Sequence, residues 1–341
     1  MVNINVTQRE LAKRLGVSYV TVNRALGKYE NVRPEMRRKI LKEAQKLGYR
    51  KNALARGLKL QRTFSIGLVA SNNPHSFWAE LFQSMEQYAR NLGYHIIICH
   101  RDAESLNSFE EIEFLLSLQV EGIVYASLPS DNVLTKLETV VKSGNPVLLL
   151  DQYKSGTSCS YLGTNSKEGV YKACEYLISM GHSRIAFVSG QRLFYTSQMR
   201  LAGYHEALQA AGIKSAEEII IEAGWLREDG EAAAEKILSF KNIPTAIVAV
   251  NDPVAFGLFI KLKQHGIRIP EDISLIGYSG DKAGELLSVP MTTVAQPATK
   301  LGCRAMEILI AKIENSDTTP VFEELGDELI IRASCCPPSH Q

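Results

Sequence analysis

Residues 7–26 read TQRELAKRLGVSYVTVNRAL, and this stretch decides the fold of the amino-terminal part of the chain. Thr7 and Glu10 have the spacing of a capping box, which predicts the start of a helix that Gly16 ends. Ser18 is a typical cap for a second helix, Tyr19–Leu26. Two short helices joined by so tight a turn are typical of a helix-turn-helix, whose second helix enters the major groove of DNA by its N-terminal end.

A third helix is predicted from Pro34 to about residue 47, where Gly48 ends it. Apolar residues recur along all three helices at helical spacing, so the helices should share one small core. The sequence therefore predicts an all-α head of three helices. The third helix is expected to bury Ile40, Leu41, Ala44 and Leu47.

Charge separates this head from the rest of the chain. The 341 residues carry a net charge of only +1, but residues 1–62 hold 7 Lys and 9 Arg against 4 Glu, which is +12. The remainder holds 22 basic and 33 acidic residues, which is −11. The alternative is a three-helix bundle with no ligand, because basic helix faces are often only solvated. Exposed Tyr, Asn and Arg at the start of the second helix favour a surface that binds DNA.

The head also resembles the lactose/galactose repressor (LacI/GalR) family of bacterial transcriptional regulators. The resemblance rests on residues 7–26 and continues through Val32, Arg37, Ile40, the Leu-Gly-Tyr of residues 47–49 and Asn52. It implies that the second helix reads bases through Tyr19, Val20 and Arg24. The DNA contacts expected in the head and the segment after it are Thr7, Ser18, Tyr19, Val20, Thr21, Asn23, Arg24, Asn31, Asn52, Ala55, Arg56 and Leu58.

Three positions of the head depart from the family pattern. Asn23 stands where the family usually has Ser, and its amide can bond an adenine edge or a phosphate. Arg33 replaces a usual Ser cap and Lys51 replaces a usual Pro. The changes at Arg33 and Lys51 do not break the fold, and both add positive charge beside the DNA.

Residues 52–59, NALARGLK, resemble the hinge of that family. The resemblance implies a short helix that forms when two subunits lie side by side on DNA, with a leucine from each inserted into the minor groove. Leu58 matches that leucine. The alternative is an ordinary linker whose Leu58 packs on the body. Gly57 lowers helix propensity by about 1 kcal/mol relative to Ala, so order in this segment is expected to require both dimer and DNA.

From Phe64 onward, short apolar runs alternate with amphipathic helical stretches. This alternation is typical of buried parallel strands in doubly wound α/β units. Ligands bind such sheets beyond the carboxyl ends of their strands. The runs are residues 65–70, 95–99, 122–126, 146–150, 184–188, 245–250 and 274–277, with a last strand-like run at 328–332.

Polar and aromatic residues follow several of these runs. Phe77 and Trp78 come after the first run, Asp151 after the fourth and Asn251 after the sixth. Aromatic rings stack on sugar faces, while Asp, Asn and Arg make paired hydrogen bonds to hydroxyls. Each residue alone has a structural alternative, since Asp after a strand is often a helix cap and either aromatic residue could belong to the core. Together they predict a site for a small polar ligand.

Residues 63–332 resemble the same family and the periplasmic sugar-binding proteins that share its fold. The matching motifs are FWAEL (77–81), EGIV (121–124), GHSRIA (181–186), RLAGY (200–204), AVND (249–252) and IPEDISLIGY (269–278). The resemblance implies a two-lobed body of doubly wound parallel sheets with a ligand between the lobes. The expected ligand contacts are Phe77, Trp78, Asp151, Arg200, Trp225, Asn251, Ser279, Asp281 and Gln296.

Two departures fall at this expected pocket. The family usually has two acids after Gly-Tyr, whereas Ser279-Gly280 stand here and Asp281 comes one place later. Its common Asn-Pro before the aromatic pair is His75-Ser76 here. The effector is therefore expected to be unusual for the family: a carbohydrate is favoured, and a nucleoside or other small metabolite is the alternative.

The expected domains are a helix-turn-helix head at 1–49, a hinge at 50–62 and a ligand-binding body at 63–341. Within the body, the N-lobe is expected at about 63–163 and 293–322, and the C-lobe at about 164–292 and 323–341. Two subunits should dimerise to place two heads on a pseudo-palindromic operator. The expected partners are thus double-stranded DNA, a small-molecule effector and a second copy of the chain.

Enzyme motifs are missing from the sequence. GxGxxG, P-loop and HExxH do not occur, and residues 277–281, GYSGD, lack the final Gly of a serine nucleophile elbow. The six cysteines are scattered and fit no metal finger. We therefore expect no enzymatic activity, no catalytic residue, no cofactor and no metal.

The start of the chain has no signal-peptide pattern, and no stretch reaches about 18 apolar residues. A cytoplasmic location without a membrane partner is expected. The alternative function is a freestanding sugar-binding protein without a role on DNA. The missing signal peptide and the basic head argue against that alternative.

Overall fold

The structure is a computed structural model that describes residues 6–27, 32–49, 60–71, 76–101, 109–214, 219–317 and 319–339. The chain divides into two compact units between Thr63 and Phe64. Some of the expected DNA contacts lie outside the described residues, and their roles stay predictions. These are Asn31, Asn52, Ala55, Arg56 and Leu58.

The described part of the first unit contains α1 (Gln8–Leu15), α2 (Tyr19–Leu26) and α3 (Pro34–Lys46). Thr7 and Glu10 form the predicted capping box: the Thr7 N–H donates to Glu10 Oε2 at 2.6 Å, and the Glu10 N–H donates to Thr7 Oγ1 at 3.2 Å. Gly16 ends α1 in the left-handed conformation, with φ of 64°. The predicted tight turn between α1 and α2 is therefore confirmed.

The core of this unit is small and comes from all three helices. Ile40 and Ala44 are buried as predicted, and Leu47 is partly buried against them. The prediction that Leu41 is buried is wrong, because its side chain is 46% exposed. Leu41 lies about 100° around α3 from Ile40, at the edge of the apolar stripe. The buried core residues are Leu11, Ala12, Val22, Ala25, Leu26, Ile40 and Ala44.

The second unit alternates strands and helices. In chain order they are β1 (Ser65–Ser71), α4 (Ser76–Asn91), β2 (His95–Arg101), α5 (Phe109–Ser117), β3 (Gly122–Ala126), α6 (Asp131–Lys142), β4 (Val147–Leu150), β5 (Ser160–Thr164), α7 (Ser166–Ser179), β6 (Ile185–Ser189), α8 (Tyr195–Ala210), β7 (Ile220–Glu222), α9 (Arg227–Leu238), β8 (Ala246–Ala249), α10 (Asp252–Gln264), β9 (Ser274–Ser279), a 3₁₀ turn (Lys282–Glu285), β10 (Thr292–Ala295), α11 (Ala298–Asn315), β11 (Phe322–Leu325) and β12 (Glu328–Ile330). Each of the eight predicted runs overlaps a strand.

The strands form two sheets, one for each lobe. The N-lobe sheet has the order β11-β5-β4-β3-β1-β2, and all of its neighbouring strands are parallel. The C-lobe sheet has the order β12-β10-β9-β8-β6-β7, in which only β12 runs antiparallel to its neighbour. The central strands are buried along their whole length, as expected for parallel sheets covered on both faces. The predicted two-lobed fold of doubly wound sheets is confirmed.

The chain crosses between the lobes after β5, after β10 and after β11. Two of these crossings come later than the predicted lobe boundaries at about 293 and 323. Residues 293–295 belong to β10 of the C-lobe sheet, and β11 continues the N-lobe sheet to Leu325. Among the described residues, no helix is both long and apolar enough to span a membrane.

Candidate functional site

The first candidate surface is the start of α2 in the head. Tyr19 and Val20 are 50% and 51% exposed, although both side chains are largely apolar. Arg24 is also exposed, one turn further along the helix, whereas Thr21 and Asn23 are half-buried. Exposed apolar and cationic groups at a helix N-terminus suit contacts with thymine methyl groups and guanine edges.

Two of the predicted DNA contacts are already engaged in capping. The Ser18 hydroxyl accepts the Thr21 N–H at 3.1 Å and lies 2.8 Å from the Thr21 hydroxyl. Thr7 is held by Glu10, and the hydrogen bonds from the Thr7 backbone and side chain lower the pKa of Glu10. These residues therefore fix the ends of α1 and α2, whatever contacts they add on DNA.

In the body, the C-lobe centres its polar groups on Arg200 of α8. This side chain is only 4% exposed. Its Nη1 donates to the Val250 carbonyl at 2.6 Å, and the guanidinium lies 3.8 Å from the centroid of the Tyr278 ring. A cation placed over an aromatic face is attracted by the ring quadrupole. Arg200 is thus held at the carboxyl ends of β8 and β9, and its contact with a ligand stays a prediction.

Asp151 approaches the same arginine from the N-lobe. It follows β4 with a left-handed φ of 69° and is 8% exposed. Gln152 Nε2 donates to Asp151 Oδ2 at 2.9 Å and to the Thr196 hydroxyl at 3.1 Å, which links the two lobes. Burial raises the pKa of Asp151, while the Arg200 charge and the Gln152 hydrogen bond oppose the shift. The structure therefore brings Asp151 and Arg200 together where the two lobes face each other, and we call this region the cleft.

Trp225 and Asn251 lie next to each other beyond the ends of β7 and β8. Asn251 Nδ2 donates to the Trp225 carbonyl at 2.8 Å, and Asn251 Oδ1 caps α10 by accepting the Val254 N–H at 2.8 Å. Phe194 packs on Trp225 edge-to-face, with ring centroids 5.2 Å apart. A Cβ at position 190 would lie 2.8 Å from the Trp225 ring, so Gly190 permits this close packing.

Several buried polar atoms of this cleft have no hydrogen-bond partner among the described residues. They are Arg200 Nε, Trp225 Nε1 and the Ser197 hydroxyl. Buried donors are nearly always paired in folded proteins, so unpaired ones mark a place where a polar ligand or water binds. Two N–H donors and a hydroxyl beside two aromatic rings suit a small ligand with oxygen or nitrogen acceptors.

In the structure, Ser279 at the end of β9 and Asp281 after it make contacts within the protein, and their contact with a ligand stays a prediction. Asp252, fully buried, accepts hydrogen bonds from the Ser279 hydroxyl at 3.2 Å, the Asp281 N–H at 2.6 Å and the Thr293 hydroxyl at 2.8 Å. Burial raises its pKa to about 6, against the effect of these hydrogen bonds. The two carboxylate oxygens of Asp281 accept hydrogen bonds from the Ser76 hydroxyl at 2.7 Å and from the Ala283 N–H at 2.9 Å. Ser279 and Asp281 therefore hold the loop together.

The remaining predicted ligand contacts, Phe77, Trp78 and Gln296, pack or bond within the protein in this structure. Phe77 is 6% exposed and belongs to the N-lobe core, and Trp78 is half-buried against that core. Gln296 is 9% exposed and donates to the Thr164 hydroxyl at 3.2 Å, so it joins two crossing segments. Their contact with a ligand stays a prediction.

Sequence reasoning missed Phe194, Tyr278, Asp252 and Asp327. Both Tyr278 and Asp252 lie within motifs shared with the family, but the sequence alone gives neither of them a role. The Tyr278 hydroxyl donates to Asp327, which is 49 positions away. No local pattern signals such a pair, since its members meet only when the lobes have folded.

The chain matches two family models, "Bacterial regulatory proteins, lacI family" over residues 7–52 and "Periplasmic binding protein-like domain" over residues 174–335. It is 33% identical to the HTH-type transcriptional repressor PurR of Vibrio vulnificus over 327 residues, which are 96% of this chain and 97% of that protein. The chain belongs to the LacI family. Another LacI-family relative, PurR of Pasteurella multocida, is 30% identical and is covered over 98% of its length.

Solved structures of LacI-family proteins are similar along most of the chain. A LacI-family regulator from Enterococcus faecium with bound ribose matches with a TM-score of 0.73 at 26% identity, covering 81% of this chain and 100% of that one. The lac repressor dimer bound to operator matches with a TM-score of 0.86 at 23% identity, covering 97% and 99%; that likeness shows the fold. As a LacI-family member, the protein is a DNA-binding transcriptional regulator.

Proposed function

We propose that this protein is a ligand-responsive repressor that binds a pseudo-palindromic operator as a homodimer. The observation that carries the proposal is that Asp151 and Arg200 meet in the cleft between the lobes, beside buried donors without partners among the described residues. The same chain has an exposed surface on α2 that suits contacts with DNA bases. A cleft of this chemistry on a DNA-binding chain fits a sensor of a small metabolite. We propose residues 1–49 as the head, 50–62 as the hinge and 63–341 as the body.

A sugar is the effector class that we propose first. The Phe194–Trp225 pair offers apolar ring surface, and Asp151 and Arg200 offer an acceptor and a donor for paired hydrogen bonds to hydroxyls. The ribose bound to the E. faecium regulator supports a pentose or a riboside as a first probe. A nucleoside is the alternative, since a flat base also stacks on such rings.

The dimer is supported by exposed apolar residues around the edge of the N-lobe sheet. Strand β2 is the last strand of that sheet, and Ile98 on it is 45% exposed. Leu92, Phe114 and Leu118 nearby in the chain are 53%, 52% and 41% exposed. Large apolar side chains exposed on an edge strand and on the segments around it are typical of a surface covered by a partner.

The proposed mechanism couples the cleft to the head. A ligand that draws the lobes together changes how well two hinges can pair, which alters operator affinity by about 1–3 kcal/mol. Leu58 of each hinge would enter the minor groove. Replacing it with Ala should weaken specific binding more than non-specific binding.

A thermal-shift screen of the full-length protein tests the ligand part of this proposal. Pentoses, hexoses, disaccharides and nucleosides are added singly, to the wild type and to Asp151→Ala. The proposal expects at least one compound to raise the melting temperature of the wild type and not that of the variant. A compound that stabilises both proteins equally would bind elsewhere and would contradict the proposed cleft.

A further inference from the structure

In the described residues, all three segments that cross between the lobes contribute a polar side chain to one buried cluster. Thr164 ends β5, Gln296 follows β10, and Asp327 lies between β11 and β12. Their exposures are 4%, 9% and 9%. Gln296 Nε2 donates to the Thr164 hydroxyl at 3.2 Å, and Thr164 lies close enough to Asp327 to lower the pKa of its carboxyl. The first two crossing segments are therefore joined by a hydrogen bond, and Asp327 of the third lies beside them.

Asp327 also contacts Tyr278, the residue whose ring faces the Arg200 guanidinium. The fully buried Tyr278 donates its hydroxyl to Asp327 Oδ2, and the Arg200 guanidinium lies 3.8 Å from the centroid of the same ring. A carboxylate that accepts from the hydroxyl anchors the hydroxyl end of the ring and enriches the electron density of the ring. Asp327 therefore acts on Arg200 through the ring, besides attracting it by charge.

Helix α7 leaves this pair no room to move. A Cβ at position 169 would lie 2.9 Å from the Tyr278 hydroxyl oxygen and 3.1 Å from Asp327 Oδ2. Gly169 thus lets the helix backbone pack directly against the hydrogen-bonded groups. The ring beneath Arg200 is confined by α7 on one side and by Asp327 at its hydroxyl.

A buried carboxylate at position 327 lowers the stability of the fold at neutral pH. Burial raises its pKa to about 6, against the hydrogen bond from Tyr278 and the charge of Arg200. At neutral pH the folded protein therefore holds a desolvated carboxylate, and a neutral side chain of similar size would disfavour folding less. Its place between the crossing segments and the ring beneath Arg200 indicates a role in the cleft.

We propose that Asp327 is a positioning residue for the ligand cleft. It holds the Tyr278 ring beneath Arg200 and ties that ring to the segments about which the lobes move. Closing the lobes then shifts the guanidinium together with the crossing segments. This inference rests on the proposed function, in which Arg200 contacts the ligand.

The test follows the Arg200 Nε–H itself, because this buried donor has no protein partner among the described residues. Full-length protein is labelled with ¹⁵N-arginine, and the Arg200 signal is assigned by its loss in Arg200→Lys. Its hydrogen exchange is compared in the wild type, Asp327→Ala, Asp327→Asn and Glu328→Gln. The last is a matched control, since Glu328 is the exposed neighbour of Asp327.

Asp327→Ala should raise the exchange rate of this N–H about tenfold, the effect of losing one hydrogen bond that involves a charged group. Asp327→Asn should stay near the wild-type rate, because its amide oxygen still accepts from Tyr278. Glu328→Gln should not change the rate. Equal rates in Asp327→Ala and the wild type would overturn the proposal, and so would a rate in Asp327→Asn as high as in Asp327→Ala.

If Asp327→Ala does not fold, Gly169→Ala replaces it. Its methyl group would displace the Tyr278 hydroxyl, so the same rise in exchange is expected, and an unchanged rate would overturn the proposal. Thermal shifts with ribose and adenosine are measured on the same samples. If neither compound stabilises the wild type, the proposed effector class is contradicted, while the exchange rates still decide the role of Asp327.

Discussion

The Ser76 hydroxyl donates a hydrogen bond to Asp281 Oδ2 at 2.7 Å, and this contact joins the first residue of α4 in the N-lobe to the loop after β9 in the C-lobe. Both residues lie in segments where the sequence departs from the LacI-family pattern. Close by, Lys282 Nζ lies 3.9 Å from Glu80 Oε2, so a second pair spans the same two elements. The two departures thus meet in one contact between the lobes.

This contact predicts energetic coupling between Ser76 and Asp281. In a double-mutant cycle with Ser76→Ala and Asp281→Ala, the free energies of unfolding should fall short of additivity by about 0.5–1 kcal/mol. Urea unfolding of the four proteins measures it. Ser117→Ala is the control, because the exposed Ser117 hydroxyl bonds only to its own helix in the described structure. The control cycle pairs Ser117→Ala with the same Asp281 variant and should be additive. Additive effects in the Ser76–Asp281 cycle as well would show that the lobe contact is not formed in solution.

Asp327→Asn should stabilise the protein at neutral pH. The folded pKa of about 6 is raised above the ordinary value of 3.8 by burial, so the wild type loses stability as the pH rises from about 4 to 6. Asn removes this loss, which gives a gain of about 3 kcal/mol at pH 7.5 that falls to about 1 kcal/mol at pH 4.5. Urea unfolding at both pH values measures the difference.

Asp317→Asn is the control for that prediction. The Thr319 N–H and side chain lower the pKa of the exposed Asp317, which is the opposite shift. Its replacement should give no gain at pH 7.5. A gain for Asp327→Asn that is the same at pH 4.5 and 7.5 would mean that its carboxylate does not titrate as the burial implies.

Replacing Gly280 with Ala should lower the free energy of unfolding by more than the strain of its backbone angle alone would. Its φ is 78°, and a Cβ there would lie 2.8 Å from Ala295 Cβ, where β10 passes. Gly212 has a similar φ of 68° but open space around it. Gly212→Ala should cost about 1 kcal/mol from backbone strain, whereas Gly280→Ala should cost at least about 2 kcal/mol because the strands must also separate. Equal losses in urea unfolding would remove the argument for close packing.

The sequence predicted the head almost completely because its signals are local. The capping box of Thr7 and Glu10, the cap at Ser18 and the turn at Gly16 lie within 20 residues of one another, and the structure contains each of them. The error at Leu41 arose because an apolar residue at the edge of a stripe has the same hydrophobicity as one at its centre.

In the body, the sequence predicted the strands that are apolar runs and did not predict the strands that carry polar residues or are very short. β5 (SYLGT) and β10 (TTVA) carry Thr and Ser because they lead into the crossings, and β7 spans only three residues. Their polar side chains bond to other crossing segments, as Thr164 does to Gln296. Such strands show no apolar run, so hydrophobicity alone could not reveal them.

The candidate cleft was predicted in part. Asp151, Trp225 and Asn251 follow β4, β7 and β8, and Arg200 of α8 lies beside the segment after β8 and interacts with Asp151. Asp281 fits the alternative that an Asp after a strand is often a helix cap, since it caps the following turn. Asp327 could not be predicted, because its meaning depends on Tyr278 from another strand.

Footprinting of the DNA upstream of the gene for this protein tests the central claim most directly, with the wild type, Arg24→Ala and Lys42→Ala compared at fixed salt. Arg24 is exposed on α2, and Lys42 is exposed on α3 outside the proposed reading surface. We expect the wild type and Lys42→Ala to protect one pseudo-palindrome, and Arg24→Ala to lose about 1–3 kcal/mol of preference for it over unrelated DNA. No protected palindrome, with or without the candidate sugars and nucleosides, would contradict the account.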